Sequence, residues 1–146
     1  ESRTDGNHGL MGIAMRVTTP SSDLLAAAQR GLVEATYAET AAERYVDAHL
    51  SALRSAAAIL AARAQPTKSR TRLRSVWSVL PSIAPECAEW AEFFAASAAK
   101  RSAAEAGLSV VSQREADDLL RDAEIFHDQV CTMLHIDRQQ SLPATG

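Results

Sequence analysis

Apolar and polar positions along this chain repeat with the period of a helix rather than a strand, in four long stretches. The clearest runs from Thr40 to Ala64, where Ala42, Tyr45, Val46, His49, Leu50, Leu53, Ala56, Ala57 and Leu60 recur at steps of three and four residues. That spacing defines one buried stripe on an α-helix. The stretch opens with Thr40-Ala-Ala-Glu43, a capping box in which the Thr hydroxyl accepts from an orphan backbone N–H and the Glu reaches back to the cap. Pro66 closes it, because the residue before a proline is driven out of the helical region. A preceding helix is predicted from Ser22, an N-cap with Asp23 complementing the positive helix end and Leu24, Leu25, Ala28, Leu32 and Ala35 inward. Gly31 weakens that helix by about 1 kcal/mol relative to Ala.

After a loop from Gln65 to Arg74, Ser75 to Leu80 reads as a short helix carrying Trp77 and ended by Pro81. Pro85 suits the first turn of a third long helix, where its missing N–H costs nothing. Trp90, Phe93, Phe94, Ser97 and Ala98 form its inner face, and Gly107 is a natural left-handed stop. A second capping box, Ser112-Gln-Arg-Glu115, opens a fourth helix to about Ile136, with Ala116, Leu119, Leu120, Ala123, Phe126, Val130, Met133 and Leu134 inward. The expected fold is all-α: an up-and-down four-helix bundle with an additional short helix between helices two and three. The domain is expected over residues 21–137, with 1–20 and 138–146 disordered.

Composition agrees with that reading. The 146 residues suit one domain, and a chain with 5% aromatic content and few β-branched runs favours close-packed helices. The net charge of −3 excludes a globally basic nucleic-acid binder, so any surface for an anionic partner must be local. Thirteen arginines stand against two lysines, an imbalance that suits phosphate recognition but follows equally from codon bias. Cys87 and Cys131 have no metal-ligand spacing and read as reduced thiols. No metal or cofactor motif is present, no membrane span or signal core is found, and a soluble, cytoplasmic protein is expected. Residues before Met11 or Met15, and the terminal Leu142-Pro-Ala-Thr-Gly146, which spells a sortase-type site with no tail behind it, are expected to be added or incidental sequence.

The run YVDAHLSALRSAAAIL in the second helix resembles the HEPN superfamily of small helical bundles, found in prokaryotic toxins, antiviral ribonucleases and nucleotidyltransferase-associated proteins. With RLRSVWSVL, APECAEWAEFFAASAAKRSAAEAG and READDLLRDAEIF in order, the chain from Ser21 to about Leu134 is similar to a compact actinobacterial HEPN subfamily. Catalytic HEPN proteins are metal-independent ribonucleases. The resemblance therefore implies an Arg, a polar residue and a His four to six residues on, paired across a homodimer, with Arg holding phosphate and His moving protons.

Arg121-Asp-Ala-Glu-Ile-Phe-His127 has the required order and five intervening residues. Six helical steps leave the two side chains roughly 120° apart, so a dimer seam would be needed to unite them. The competing reading is structural, with Asp117 and Glu124 making an exposed ion-pair ladder around Arg121 and His127 flanking the core. Arg44 and His49 have a four-residue gap but lie about 140° apart; packing is the plain reading, and a polar pair at a dimer interface is the functional one. The third helix offers Lys100 and Arg101 with no following His, which weighs against nuclease activity. Between Arg63 and Arg74 lie Arg63, Lys68, Arg70, Arg72 and Arg74 without a carboxylate, and Trp77 follows. Lys68, Arg70, Arg72 and Arg74 can track a phosphate backbone while Trp77 stacks a base; the alternative is a solvated connector with Trp77 buried between helices, or a contact for an acidic protein. The leading expectation is a non-catalytic HEPN-like bundle that binds RNA or another phosphate-rich ligand through this loop. A dimeric metal-independent endoribonuclease and a protein-interaction module without nucleic acid are the alternatives.

Overall fold

A computed structural model describes residues 19–63, 75–108 and 110–141. Five α-helices follow one another: α1 Pro20–Thr36, α2 Ala41–Arg63, α3 Val76–Ile83, α4 Ala88–Glu105 and α5 Gln113–Ser141, with a 3₁₀ turn Pro85–Cys87 leading into α4. No strand occurs among the described residues. The all-α bundle with a short extra helix between the second and third long helices is as the periodicity predicts.

Several helix ends differ from their sequence reading. Thr19, not Ser22, caps α1: its Oγ1 accepts from Ser22 N at 3.2 Å, and Pro20 takes the first turn where no N–H is required. Pro81 does not end α3, which continues to Ile83, because the bond its nitrogen forgoes lies in the last turn and Ala84 N still donates to Leu80 O at 2.8 Å. Pro85 opens a 3₁₀ turn before α4 proper begins. The second capping box closes in both directions, with Ser112 N to Glu115 Oε1 at 2.9 Å and Glu115 N to Ser112 Oγ at 3.1 Å. The first forms its Thr half, Glu43 N to Thr40 Oγ1 at 3.1 Å. Gly107 has φ +85° and terminates α4 as expected.

The helix α2 is the axis of the molecule, packed on α1, α3, α4 and α5 at once. Its buried positions are consequently not one stripe of large residues. Ala48, Ser51, Ala52, Ser55, Ala58 and Ile59 are buried beside the expected Tyr45, His49 and Ala56, whereas Leu50, Leu53, Ala57 and Leu60 are only partly covered. Small side chains allow neighbours to approach from several directions, so burial follows Ala and Ser as much as Leu. The aromatic centre consists of Trp77, Phe94 and Phe126, with Trp77 stacking on Phe94 at 5.1 Å and His49 beside that pair. Phe93, expected inside, is 40% exposed, since one helical step from the buried Phe94 turns it about 100° away.

Candidate functional site

The residues proposed from sequence scatter over the bundle. On α5, Arg121 is 68% exposed and its NH1 meets Asp118 Oδ1 at 3.3 Å, three residues back on the same helix. Asp117, expected to be its partner, bonds Arg44 instead. His127 is turned inward, 7% exposed, and its Nε2–H donates to the backbone carbonyl of Leu25 on α1 at 3.3 Å. Cys131 Sγ lies 3.8 Å from the same nitrogen. Burial, with Asp128 next, pushes the Cys131 thiol above its ordinary pKa, so this Cys–His neighbourhood holds no activated thiolate.

His127 does border a cleft of about 310 Å³ between α1 and α5, shared with Gln29, Leu32, Val33, Thr36, Glu124 and Asp128. Two carboxylates and no cation line it. A phosphate brought there meets repulsion where phosphoryl chemistry needs a positive clamp. Arg121 and His127 therefore belong to opposite sides of one helix, as the 120° separation demands.

Arg44 and His49 are both committed inside one protomer, which corrects their reading as a polar pair at a dimer interface. The Arg44 guanidinium donates to Ala35 O at 3.0 Å, Thr36 O at 3.3 Å and Ala38 O at 3.2 Å, and pairs with Asp117 at 2.7 Å. It closes the C-terminal end of α1, where carbonyls lack helical partners. His49 is 1% exposed and its Nε2–H donates to Phe94 O at 2.9 Å, leaving Nδ1 buried without a partner. Burial, foremost, lowers the His49 pKa, with nearby Arg101 in the same sense, while the Phe94 bond and Glu105 oppose. The ring is the neutral Nε2–H tautomer, in edge contact with the stacked Trp77 and Phe94 at 6.0 Å from each.

Lys68, Arg70, Arg72 and Arg74 lie outside the described residues. Their flanks are settled. Arg63, counted with them from sequence, is bound to Glu86 and Asp137, each at 2.9 Å, and ties the end of α2 to the start of α4 and the end of α5. Those two carboxylates raise its pKa further. Trp77 is 5% exposed in the core, buried between helices rather than open to a nucleic-acid base. Lys100 is likewise occupied, by Glu115, and Arg101 by Glu105.

Residues 35–131 match the family model described as SAV_6107-like HEPN. The chain belongs to this HEPN family. The match spans α2 through most of α5 and leaves out nearly all of α1. No curated protein and no solved structure matches the chain. Among the described residues of this HEPN bundle no group of three or more His, Cys, Asp or Glu could hold a metal ion. No described helix is long and apolar enough to cross a membrane.

The feature that sequence reading missed is a trough between α4 and α5. Both helices pack on α2, and they meet each other through long side chains, Trp90 and Phe94 against Phe126 and Lys100 with Glu115, rather than by close backbone approach. One hollow of about 550 Å³ is lined by Glu86, Glu89, Trp90, Phe93, Asp122 and Gln129, and an adjoining one of about 400 Å³ by Glu86, Cys87, Asp128, Gln129, Thr132 and Met133. Trp90 Nε1–H donates to Gln129 Oε1 at 2.7 Å across the trough. Neither Asp122 nor Glu89 has an ion-pair partner among the described residues. The signal in the sequence was the odd phase of Phe93, adjacent to Phe94 and therefore unable to share its face.

Proposed function

We propose that this HEPN protein is a non-catalytic binding module, and that its ligand is a phosphate-rich chain, RNA in the first instance, held by Lys68, Arg70, Arg72 and Arg74. The observation that carries the non-catalytic reading is the divergence of Arg121 and His127. One is in solvent with Asp118; the other faces Leu25 across a cleft edged by Glu124 and Asp128. General acid–base cleavage of RNA needs a cation and a proton carrier within reach of one phosphate, which that arrangement does not supply within one protomer.

Charge segregation supports the ligand. The described residues hold nine Lys and Arg against sixteen Asp and Glu, a net −7, whereas residues 64–74 hold four cations and no carboxylate. A polyanion is repelled by the body and attracted to that one segment, so binding is local and strongly salt-dependent.

Two measurements test the proposal. Total RNA incubated with the pure protein in EDTA stays intact; cleavage that vanishes in His127→Ala would overturn the non-catalytic reading in favour of a dimeric endoribonuclease. Titration of a labelled single-stranded RNA between 50 and 200 mM salt should give a steep salt slope. Replacing Arg70, Arg72 and Arg74 by Gln together reduces that slope by about 2, since each lost phosphate contact on a single strand removes about 0.7. An unchanged slope rules out the basic segment, and absence of RNA binding altogether leaves an interaction module without nucleic acid.

A further inference from the structure

The trough between α4 and α5 has the chemistry of a docking site for a cationic peptide. Its floor at one end is aromatic, with Trp90 half-buried, Phe93 40% exposed, and their rings 6.3 Å apart and nearly perpendicular. Asp122 and Glu89 edge this end without a cation to neutralise them. Arg121, beside Asp122 in sequence, is turned to Asp118. Burial and the Asp118 charge push the Asp122 carboxyl up, Arg121 opposing, so an incoming positive charge relieves an electrostatic penalty already present.

The other end is different. Around Cys87, Met133 and Thr132 the wall is mainly apolar, with Cys87 Sγ 3.7 Å from Met133 Sδ. The two hollows share Glu86 and Gln129 and so adjoin along α5. From Asp122 to Met133 the rise along α5 is about 16 Å at about 1.5 Å per residue. That span fits about five residues of extended peptide.

We infer that this trough receives an extended segment of a partner protein, with an Arg or Lys over Trp90 and Phe93 against Asp122 and Glu89, and an apolar side chain near Met133. A guanidinium satisfies both components at the acidic end, lying on an aromatic face while pairing with a carboxylate. An RNA strand is excluded by the carboxylates, which makes this surface independent of the ligand proposed for residues 68–74. The elongated shape and the apolar far end call for a chain rather than a small amine.

The test is selection of a displayed random heptapeptide library on the full chain, followed by affinity measurement with the recovered peptides. Recovered sequences should carry Arg or Lys with an apolar residue two to four positions away. Their affinity should fall about tenfold or more in Asp122→Asn with Glu89→Gln, and again in Phe93→Ser, with circular dichroism unchanged because all three side chains are partly or fully outside the core. Failure to enrich cationic sequences, or equal binding to the carboxylate variant, overturns the proposal. So does a concentration-dependent dimer of the unmodified chain in sedimentation that the carboxylate variant abolishes, since the trough would then be covered by a second copy.

Discussion

Four oxygen atoms from separate parts of the chain converge on the guanidinium of Arg44, three of them carbonyls at the end of α1 and one the Asp117 carboxylate of α5. The side chain is 21% exposed, so these bonds are only partly screened. Replacement by Met keeps the stem and removes the donors; urea denaturation should show a loss of about 2 kcal/mol, the range for a charged hydrogen-bonding group whose partners are left unmet. His49 makes a second prediction. Its folded pKa lies below the ordinary value of 6.5, so below that pH the unfolded chain binds the extra proton and the folded one does not. Stability therefore falls as pH drops from 7.5 towards 5.5, by at most about 1.4 kcal/mol per pH unit for one proton. His49→Gln, which retains an N–H for Phe94 O, should flatten that dependence in denaturant titrations, and a persisting slope would assign it to another group. The burial of His49 was legible in the sequence from its place in the apolar stripe; the partners of both side chains were not.

Between α1 and α2 the contact is set by a glycine. A Cβ on Gly31 would collide with Ser51 Oγ, while Ser51 Cβ stands at an ordinary 3.6 Å. The Ser51 hydroxyl is buried and has no hydrogen-bond partner. Gly31→Ala should destabilise the protein by about 1–3 kcal/mol through overpacking. Combined with Ser51→Ala it should recover at least to wild type, because the obstruction is gone and Ala is the better helix former by about 1 kcal/mol. A double-mutant cycle in urea checks this, and additive single effects would show that the two helices do not meet there. The sequence marked Gly31 as a weakness in α1; the pairing with α2 supplies its reason. Similarly, α5 was readable almost residue by residue, since it offers one apolar face to the body. The helix α2 was not, because it is enclosed on several sides and its burial carries no single periodicity.

The described residues carry net −7 while the whole chain carries −3, and the difference is the four cations of residues 64–74. Screening such self-repulsion should raise stability. Between 20 and 200 mM sodium chloride, Tm is expected to rise by roughly 4 °C, equivalent to about 1 kcal/mol. A fall instead would mean that the Arg63, Lys100 and Arg44 pairs outweigh the repulsion. The same segregation makes the RNA-binding and peptide-docking proposals compatible, because they call on surfaces of opposite sign.

Helix number and order, both capping boxes as start signals, the Gly107 stop and the HEPN relationship were all present in the one-dimensional pattern. They depend on local backbone chemistry and on apolar spacing, which sequence carries directly. Which face each side chain meets was decided only in three dimensions. His127 is bonded to Leu25 of α1, and Asp117 goes to Arg44 rather than to Arg121; Trp77 is drawn into the core by Phe94; and Arg63 leaves the basic loop for Glu86 and Asp137. The trough between α4 and α5 lies where two helices that both pack on α2 meet through long side chains instead of by close backbone approach. Spacing along a helix sets angles about its own axis, whereas the partner at each angle is chosen by how the helices pack.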